Sequence, residues 1–167
     1  MASFTDADIP DLTGKVIAIT GGLTTSRLLA SHNATLILLC RDPSKTTTAT
    51  TTLKQTLPQN HAPISTIPCD LSSLPSVRLA ASTLRSQTKQ LDILICNAGI
   101  MSFTPGLTSS GHEKHMCVNH LGHALLINLL LPLLSASHDP RIISLTSKMA
   151  FYYAPSSGIE FEGLKSE

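Results

Sequence analysis

Apolar and polar positions along the 167-residue chain fall into short buried runs and longer segments with helical spacing. The short runs are rich in aliphatic side chains, as expected of strands that are covered on both faces of a parallel sheet. They predict strands at 15–20, 35–40, 64–69, 91–96 and 141–146. The segments between them predict helices at 23–31, from 43 through a threonine-rich stretch, at 73–86 and at 111–134. This alternation predicts an α/β fold, in which right-handed crossovers join a doubly wound parallel sheet with helices on both faces.

The stretch 91–99, LDILICNAG, is the centre of this pattern. Its buried run leads directly into Asn97, Ala98 and Gly99. Asparagine and glycine tolerate unusual backbone angles, and small side chains allow another group to approach the main chain. Since ligands of open α/β sheets bind beyond the carboxyl ends of the strands, this turn predicts a ligand crevice.

The turn after the first strand contains Gly21 and Gly22, but no GxGxxG pattern follows them. The first strand-helix-strand unit, 15–40, has about 26 residues, whereas about 30 or more are usual. The predicted helix spans about 12 Å, and the first strand about 20 Å. We therefore expect a shortened phosphate-binding loop; the alternative is a plain turn in a fold that binds no nucleotide.

Two charged residues follow the next two strands. Arg41 follows the second strand, where an arginine suits the 2′-phosphate of NADP and an acidic residue would suit NAD. Its alternative is a solvated turn residue beside Asp42. Asp70 follows the third strand and could accept a hydrogen bond from an adenine amino group or favour the dipole of the following helix. The spacing alone leaves both interpretations of Asp70 open.

Composition excludes several kinds of partner. A net charge of +1, a pI near 7.8, 4% aromatic residues and no tryptophan argue against nucleic-acid binding and against an anionic membrane surface. The longest apolar stretch, 124–134, is interrupted by Asn128 and Pro132 and is shorter than the roughly 20 residues of a membrane span. Residues 1–12 lack the apolar core of a signal peptide. We expect a cytoplasmic protein without a membrane span.

Cysteines and histidines invite two further interpretations. The four cysteines show no CxxC spacing, so buried thiols in a reducing compartment are favoured over disulfides. Histidines cluster late in the chain, but HEKH differs from the HExxH zinc motif. We therefore expect no metal, and interpret these side chains as residues of a helix surface or of an active-site wall: His112, His115, His120 and His123.

The segments TGKVIAITGG, LLCRDPSK, CDLSSL, LDILICNAGIM, VNHLGHALLINLLLPLL and RIISLTS occur in an order and spacing that resemble the short-chain dehydrogenase/reductase family. The resemblance is strongest to the retinol-dehydrogenase-like branch and covers residues 13–167. It implies a Rossmann-type fold and one dinucleotide-binding domain over 1–167. It also implies hydride transfer between NADP(H), or less favourably NAD(H), and a small alcohol or carbonyl substrate.

The resemblance also assigns roles residue by residue. The residues that match cofactor-binding positions are Gly21 and Gly22 of the glycine motif, Arg41 at the NADP-selecting position, the adenine-contacting pair Asp70 and Leu71, and Asn97, Ala98 and Gly99 of the turn against the cofactor ribose. Two further residues match catalytic positions. Asn119 matches the helix asparagine that holds a proton-relay water, and Ser147 matches the serine that orients the substrate oxygen.

The chain departs from the family pattern in the glycine motif and in the family's acid/base pair, a tyrosine with a lysine four residues later. Tyr152 and Tyr153 are followed at that spacing by Ser156 and Ser157. Residues 158–167 resemble the segment just before the family's tyrosine, so we expect an incomplete sheet of about five strands that lacks the C-terminal ones. Two alternatives to an active oxidoreductase follow. One is a truncated, non-catalytic remnant or interaction module, whose exposed sheet edge favours association, including homo-oligomers. The other is an error in the gene model.

Overall fold

The computed structural model describes residues 4–58, 61–102, 104, 106–156 and 158. Five strands form one sheet: β1 (Val16–Thr20), β2 (Thr35–Cys40), β3 (Ile64–Pro68), β4 (Ile93–Cys96) and β5 (Arg141–Ser144). The strand order is β3-β2-β1-β4-β5, and every neighbouring pair is parallel. The predicted parallel α/β sheet is therefore confirmed, with strand bounds that agree to within two residues at either end.

Five helices connect and cover the strands: α1 (Leu23–Ser31), α2 (Pro43–Gln55), α3 (Leu74–Gln87), α4 (Gly122–Leu134) and α5 (Lys148–Tyr153). A π-helical segment, Met116–Leu121, leads directly into α4. The prediction that this helix begins at 111 is wrong. Leu107 and Glu113 form an antiparallel bridge, and Gly111 has a left-handed φ of 75°, so the chain turns here before the helix starts.

Alternate side chains along the strands enter two separate apolar layers, one on each face of the sheet. The layer under α3 and α4 contains Ala18, Ile37, Leu39, Leu94 and Leu126. The layer under α1 and α2 contains Ile17, Ile19, Leu36, Leu38 and Leu53. Helices therefore cover both faces, which is the doubly wound arrangement of a Rossmann-type sheet.

The first strand-helix-strand unit connects β1 to β2 although the unit is short. Gly22 is the N-cap of α1 and has a left-handed φ of 68°, so the helix starts directly after the strand turn. At the other end, Asn33 has a φ of 69°, which turns the chain sharply into β2. β1 and β2 then pair over their length, from Val16 opposite Thr35 to Thr20 opposite Leu39.

The outer strand β5 is exposed on both of its faces. Ile142 and Ile143 point to opposite faces because side chains alternate along a strand, and each is 43% exposed. β5 pairs with β4 on one side only. Within the described part of the chain, this leaves an apolar sheet edge, as expected from the sequence.

By length and composition alone, the helical stretch Met116–Leu134 could cross a bilayer, and 39% of it is buried within the protein. Its buried side chains include Leu126 and Leu130, which pack in the layer shared with α3. Core helices of doubly wound domains have the same composition, so this stretch is only weak evidence for a membrane span.

Candidate active site

Two cavities meet at the carboxyl ends of the strands. We name them after the strands that flank them. The β2 cavity measures about 720 Å³ and is lined by residues that include Gly21, Arg41, Asp70, Leu71, Ala98 and Gly99. The β5 cavity measures about 650 Å³ and is lined by residues that include Asn97, Ala98, Gly99, Asn119, His123 and Ser147. Nine of the ten sequence-predicted site residues therefore line one or both of these cavities.

The tenth, Gly22, lies on the opposite side of the phosphate turn. It lines a smaller cavity of about 280 Å³ between α1 and α2, together with Gly21, Arg41, Thr46 and Thr50. Thr46 and Thr50 are buried. Arg41 and Gly21 line both this small cavity and the β2 cavity, so the turn after β1 lies between the two cavities.

The turn Asn97–Ala98–Gly99 forms the wall between the β2 and β5 cavities, since Ala98 and Gly99 line both. Thr20, at the end of β1, holds this turn. Its Oγ1 accepts hydrogen bonds of 3.0 Å from the backbone N–H of Asn97 and of Ala98. In return, Nδ2 of Asn97 donates to the backbone oxygen of Thr20 at 3.0 Å. β1 and β4, which pair in the sheet, are thereby also joined just beyond their carboxyl ends, where the cavities lie.

The two glycines of the first turn are placed for close approach. Gly21 and Gly22 both have left-handed backbone angles, with φ of 64° and 68°. Because Gly22 caps α1, the N–H groups of the first turn of that helix have no partner within it, which is the feature that binds phosphate at helix N-termini. The turn thus keeps one part of a phosphate loop although the later glycines are missing.

Arg41 and Asp70 both line the β2 cavity. Arg41 is exposed, and its guanidinium forms no ion pair with any described residue. The Oδ1 atom of Asp70 accepts from the backbone N–H and the hydroxyl of Ser72, at 2.9 and 2.7 Å. Asp70 therefore closes the turn that precedes Ser73, the N-cap of α3, and it also lines the β2 cavity.

Asn119 lies in the π-helical segment, and its side chain grips the backbone of one residue. Its Oδ1 accepts from the N–H of Ile100 at 2.8 Å, and its Nδ2 donates to the oxygen of Ile100 at 3.0 Å. π-Helical turns inside α-helices are frequent at functional sites. Here the turn lets Asn119 fix the chain just after Gly99, at the floor of the β5 cavity.

Ser147 follows β5 and begins α5. Its Oγ accepts a hydrogen bond of 3.2 Å from the N–H of Met149, so its own O–H remains able to donate. The residue is exposed and lines the β5 cavity together with Asn119. Its position is compatible with orienting a carbonyl or hydroxyl oxygen in that cavity. Of the two tyrosines, Tyr152 is the one whose side chain the structure describes, and it is 70% exposed.

Sequence reasoning did not single out Thr20, and it left His123 as one of four similar histidines. Both are buried, at 1% and 6% exposure, and Oγ1 of Thr20 lies 2.9 Å from Nε2 of His123. A signal was present in the sequence: a polar residue that ends a wholly apolar strand must find a partner when it is buried.

The described residues contain no group of three histidine, cysteine, aspartate or glutamate side chains placed to hold a metal. The four cysteines are unpaired, as expected. Burial raises the pKa of Cys69 and of Cys96 to about 11. These thiols therefore stay protonated near neutral pH and behave as small apolar side chains.

A nicotinamide dinucleotide fits this donor set. Two cavities that share one wall suit a ligand with two halves, and the residues that line both are Ala98, Gly99 and Ile100. A side chain at Gly99 would lie 3.4 Å from Oδ1 of Asn119, so this glycine keeps the wall thin. Arg41 supplies positive charge at the β2 end, where the phosphate-bearing half would lie.

Comparison with known proteins agrees with this geometry. The profile of the short chain dehydrogenases matches residues 15–159. The chain is 39% identical over 163 residues to the short chain dehydrogenase/reductase dpchH of Colletotrichum higginsianum, covering 88% of this chain and 41% of that protein. It is 38% identical over 141 residues to human retinol dehydrogenase 12, covering 81% of this chain and 44% of the relative.

A solved structure shows the same architecture. The Pseudomonas aeruginosa RhlG/NADP active-site complex superposes with a TM-score of 0.69 at 26% sequence identity, covering 87% of this chain and 59% of that one. The chain spans less than half the length of the two relatives named above. With the matched residues covering most of the sequence and a parallel sheet that carries its polar residues at the strand ends, this chain belongs to the short-chain dehydrogenase/reductase family of oxidoreductases, which use a nicotinamide cofactor.

Proposed function

We propose that this chain binds NADP(H) across the two cavities and serves hydride transfer between that cofactor and a small alcohol or carbonyl substrate. The observation that carries the proposal is the shared wall: Ala98 and Gly99 line both the β2 and the β5 cavity. Apart from Ile100, which also lines both cavities, these shared residues carry no side chain larger than a methyl group, which would leave room for one dinucleotide to extend across the two.

The preference for NADP(H) over NAD(H) is supported by the residue that ends β2. Arg41 provides a planar, permanently charged donor at the margin of the β2 cavity, and no acidic side chain replaces it at that position. The Pseudomonas aeruginosa RhlG/NADP complex has a related fold, which is consistent with this choice. Gly21, which lines the β2 cavity, would contact the phosphates.

In the β5 cavity, the bound cofactor supplies the hydride, and the residues of this chain hold the substrate. Ser147 would donate its hydroxyl proton in a hydrogen bond to the substrate oxygen and so orient it. Asn119 would keep the cavity floor in place through its two bonds to Ile100. A shortened loop weakens the phosphate contacts, so we expect modest affinity rather than tight binding.

A second candidate is a nucleotide-binding module without turnover. No tyrosine in the printed sequence has a lysine four residues later, and general acid–base catalysis contributes about 10²–10⁴-fold to rate. Ser147 can orient an oxygen, but an alcohol hydroxyl is a poor proton donor near neutral pH. The exposed sheet edge at β5 would suit a module that associates with another protein or with a second copy of this chain.

Titration of the 167-residue chain with NADPH and with NADH, followed by fluorescence, tests the binding part of the proposal. Saturable NADPH binding that exceeds NADH binding supports it, and absence of binding to both overturns it. A carbonyl-reduction assay on the same sample separates the two candidates, because turnover excludes the module without activity.

The unpaired cysteines of the chain support our further proposal that the protein works in the reducing cytoplasm.

A further inference from the structure

The hydroxyl of Thr20 is the centre of a buried hydrogen-bond cluster. Its oxygen receives the N–H groups of Asn97 and Ala98, each at 3.0 Å, and lies 2.9 Å from Nε2 of His123. A hydroxyl oxygen has two lone pairs and one proton. The two backbone N–H groups occupy both lone pairs, so a bond to His123 is one in which Thr20 donates. The other acceptor within reach of this hydroxyl, the backbone oxygen of Ile95, lies at the longer distance of 3.5 Å.

The partner atoms determine which nitrogen of His123 carries the proton. Nε2 accepts from Thr20 and must be unprotonated. Nδ1 lies 3.4 Å from the backbone oxygen of Asn119, which can only accept, so Nδ1 carries the hydrogen. Both ends of the ring therefore require the same neutral tautomer. The side chain is 6% exposed, and no water is needed to satisfy either nitrogen.

We propose that His123 is a positioning residue, which orients the Thr20 hydroxyl and thereby fixes the Asn97–Ala98 turn that divides the two cavities. The contact joins residues 103 positions apart and connects α4 to the end of β1. Its effect on nucleotide binding rests on the function proposed above, whereas its effect on the turn does not.

Protonation would break this arrangement. A charged imidazole carries a hydrogen on Nε2 as well, so three donors would face the two lone pairs of Thr20, and one backbone N–H would have to leave. Burial lowers the pKa of His123, which the bond to Asn119 only partly offsets and nearby His120 lowers further. The ring therefore stays neutral at physiological pH, and the turn stays closed.

Few other titratable groups face this cavity. Among the described residues that line it, they are His120, which is exposed on the π-helical segment, and Cys96 on β4. Burial raises the pKa of Cys96 to about 11, so its thiol does not change charge in the acidic range. A pH effect on the turn between neutral and mildly acidic pH thus comes from His123, with His120 as the residue to control for.

The experiment measures protection factors for amide hydrogen exchange at Asn97 and Ala98, with Ala18 in the core of β1 as the reference. His123→Phe removes the acceptor and keeps a ring, and His123→Gln offers an acceptor in its place. We expect His123→Phe to lower protection of the turn about five- to tenfold relative to Ala18, since a net hydrogen bond contributes about 1 kcal/mol. We expect His123→Gln to restore most of it.

Two measurements keep the test decisive if His123→Phe does not fold. In the unmodified protein, ¹⁵N NMR of the ring should show a proton on Nδ1 and none on Nε2. Lowering the pH should reduce the turn's protection in the unmodified protein and in His120→Gln, but not in Thr20→Val, which lacks the hydroxyl.

A proton on Nε2 at neutral pH overturns the proposal, as does unchanged protection of the turn in a folded His123→Phe variant. NADPH titration of the same proteins is read separately. If the unmodified protein shows the predicted tautomer and protection but binds no NADPH, the proposed function fails and the positioning role of His123 stands.

Discussion

A methyl group on Gly22 would lie 2.8 Å from Nδ2 of Asn97 and 3.0 Å from Cδ1 of Ile19. The amide of Asn97 cannot simply swing away, because Nδ2 is bonded to the backbone oxygen of Thr20 at 3.0 Å. Gly22, the N-cap of α1, and Asn97, which follows β4, therefore pack so closely that each limits which side chain can occupy the other's position.

Gly22→Ala should consequently destabilise the protein by more than its backbone angle explains. Gly14 provides the control, because it also has a left-handed φ, of 80°, but has no heavy atom within 4 Å of a built Cβ. We expect Gly14→Ala to lower the free energy of unfolding by about 1 kcal/mol, from backbone strain alone. Gly22→Ala should lose about 1–3 kcal/mol more through overpacking, as measured by urea denaturation. Equal losses in the two variants would contradict this close packing.

Arg41→Ala tests the assignment of the phosphate-bearing end. Loss of a charged hydrogen-bond donor to phosphate, at about 1.5–3 kcal/mol, should weaken NADPH binding about 10- to 100-fold. NADH affinity should change little, because it has no 2′-phosphate. Arg85→Ala removes the same charge from an exposed position on α3 and should leave both affinities unchanged. A similar loss for NADPH and NADH would show that Arg41 does not select between them.

Asn119→Ala should release the backbone of Ile100. Both side-chain bonds to that residue disappear, so we expect amide exchange at Ile100 to accelerate and the free energy of unfolding to fall by about 1–3 kcal/mol. Asn128→Ala, at an exposed position of α4, is the matched control. Unaltered exchange at Ile100 would mean that the π-helical segment, rather than the amide, holds this part of the cavity.

Asp92 provides a prediction about acid stability. It is 2% exposed, accepts 2.6 Å and 2.8 Å bonds from Ser137 Oγ and Val16 N, and lies 3.6 Å from Lys15 Nζ. Burial alone would raise the pKa of Asp92, but these bonds outweigh it and the pKa is lowered. A carboxyl with a lowered folded pKa stabilises the protein above its unfolded value of about 3.9, and this stability is lost as pH falls through the folded pKa.

We therefore expect Asp92→Asn to lower the free energy of unfolding at pH 7 by about 1–3 kcal/mol. The difference from the unmodified protein should shrink below about pH 4, near the unfolded pKa. Asp139→Asn removes a carboxylate whose ion pair with Arg141 is largely exposed and should change stability by less than about 1 kcal/mol. A difference for Asp92→Asn that stayed constant down to pH 2 would contradict the argument.

The sequence predicted the sheet well because the central strands β1, β2 and β4 are local runs of aliphatic side chains, and such runs need no distant partner to be recognised. The same locality explains why Gly21, Arg41, Asp70 and Asn97 were found: each directly follows such a run. Their convergence then follows from parallel strand direction alone.

The rest depends on contacts between distant parts of the chain. Thr20 and His123 meet across 103 residues, and the local sequence around either residue does not identify the other as its partner. Gly122 allows α4 to approach the backbone of Leu71, where a Cβ would lie 2.6 Å from its oxygen. The late start of the helix before α4 is a local effect instead, because Leu107 pairs with Glu113 around five residues of low helix propensity, 108–112.

The exposure of β5 on both faces has a mechanical consequence. Ser147 is attached to the sheet only through this strand, whereas the Asn97–Ala98 turn is anchored by β1, β4 and α4 together. The Asn97–Ala98 side of the cavity is therefore held by the centre of the sheet, whereas the Ser147 side is held by the edge strand β5. Fraying of β5 would displace Ser147 while leaving the Asn97–Ala98 turn in place, so under the proposed function substrate contacts and cofactor contacts would be lost separately.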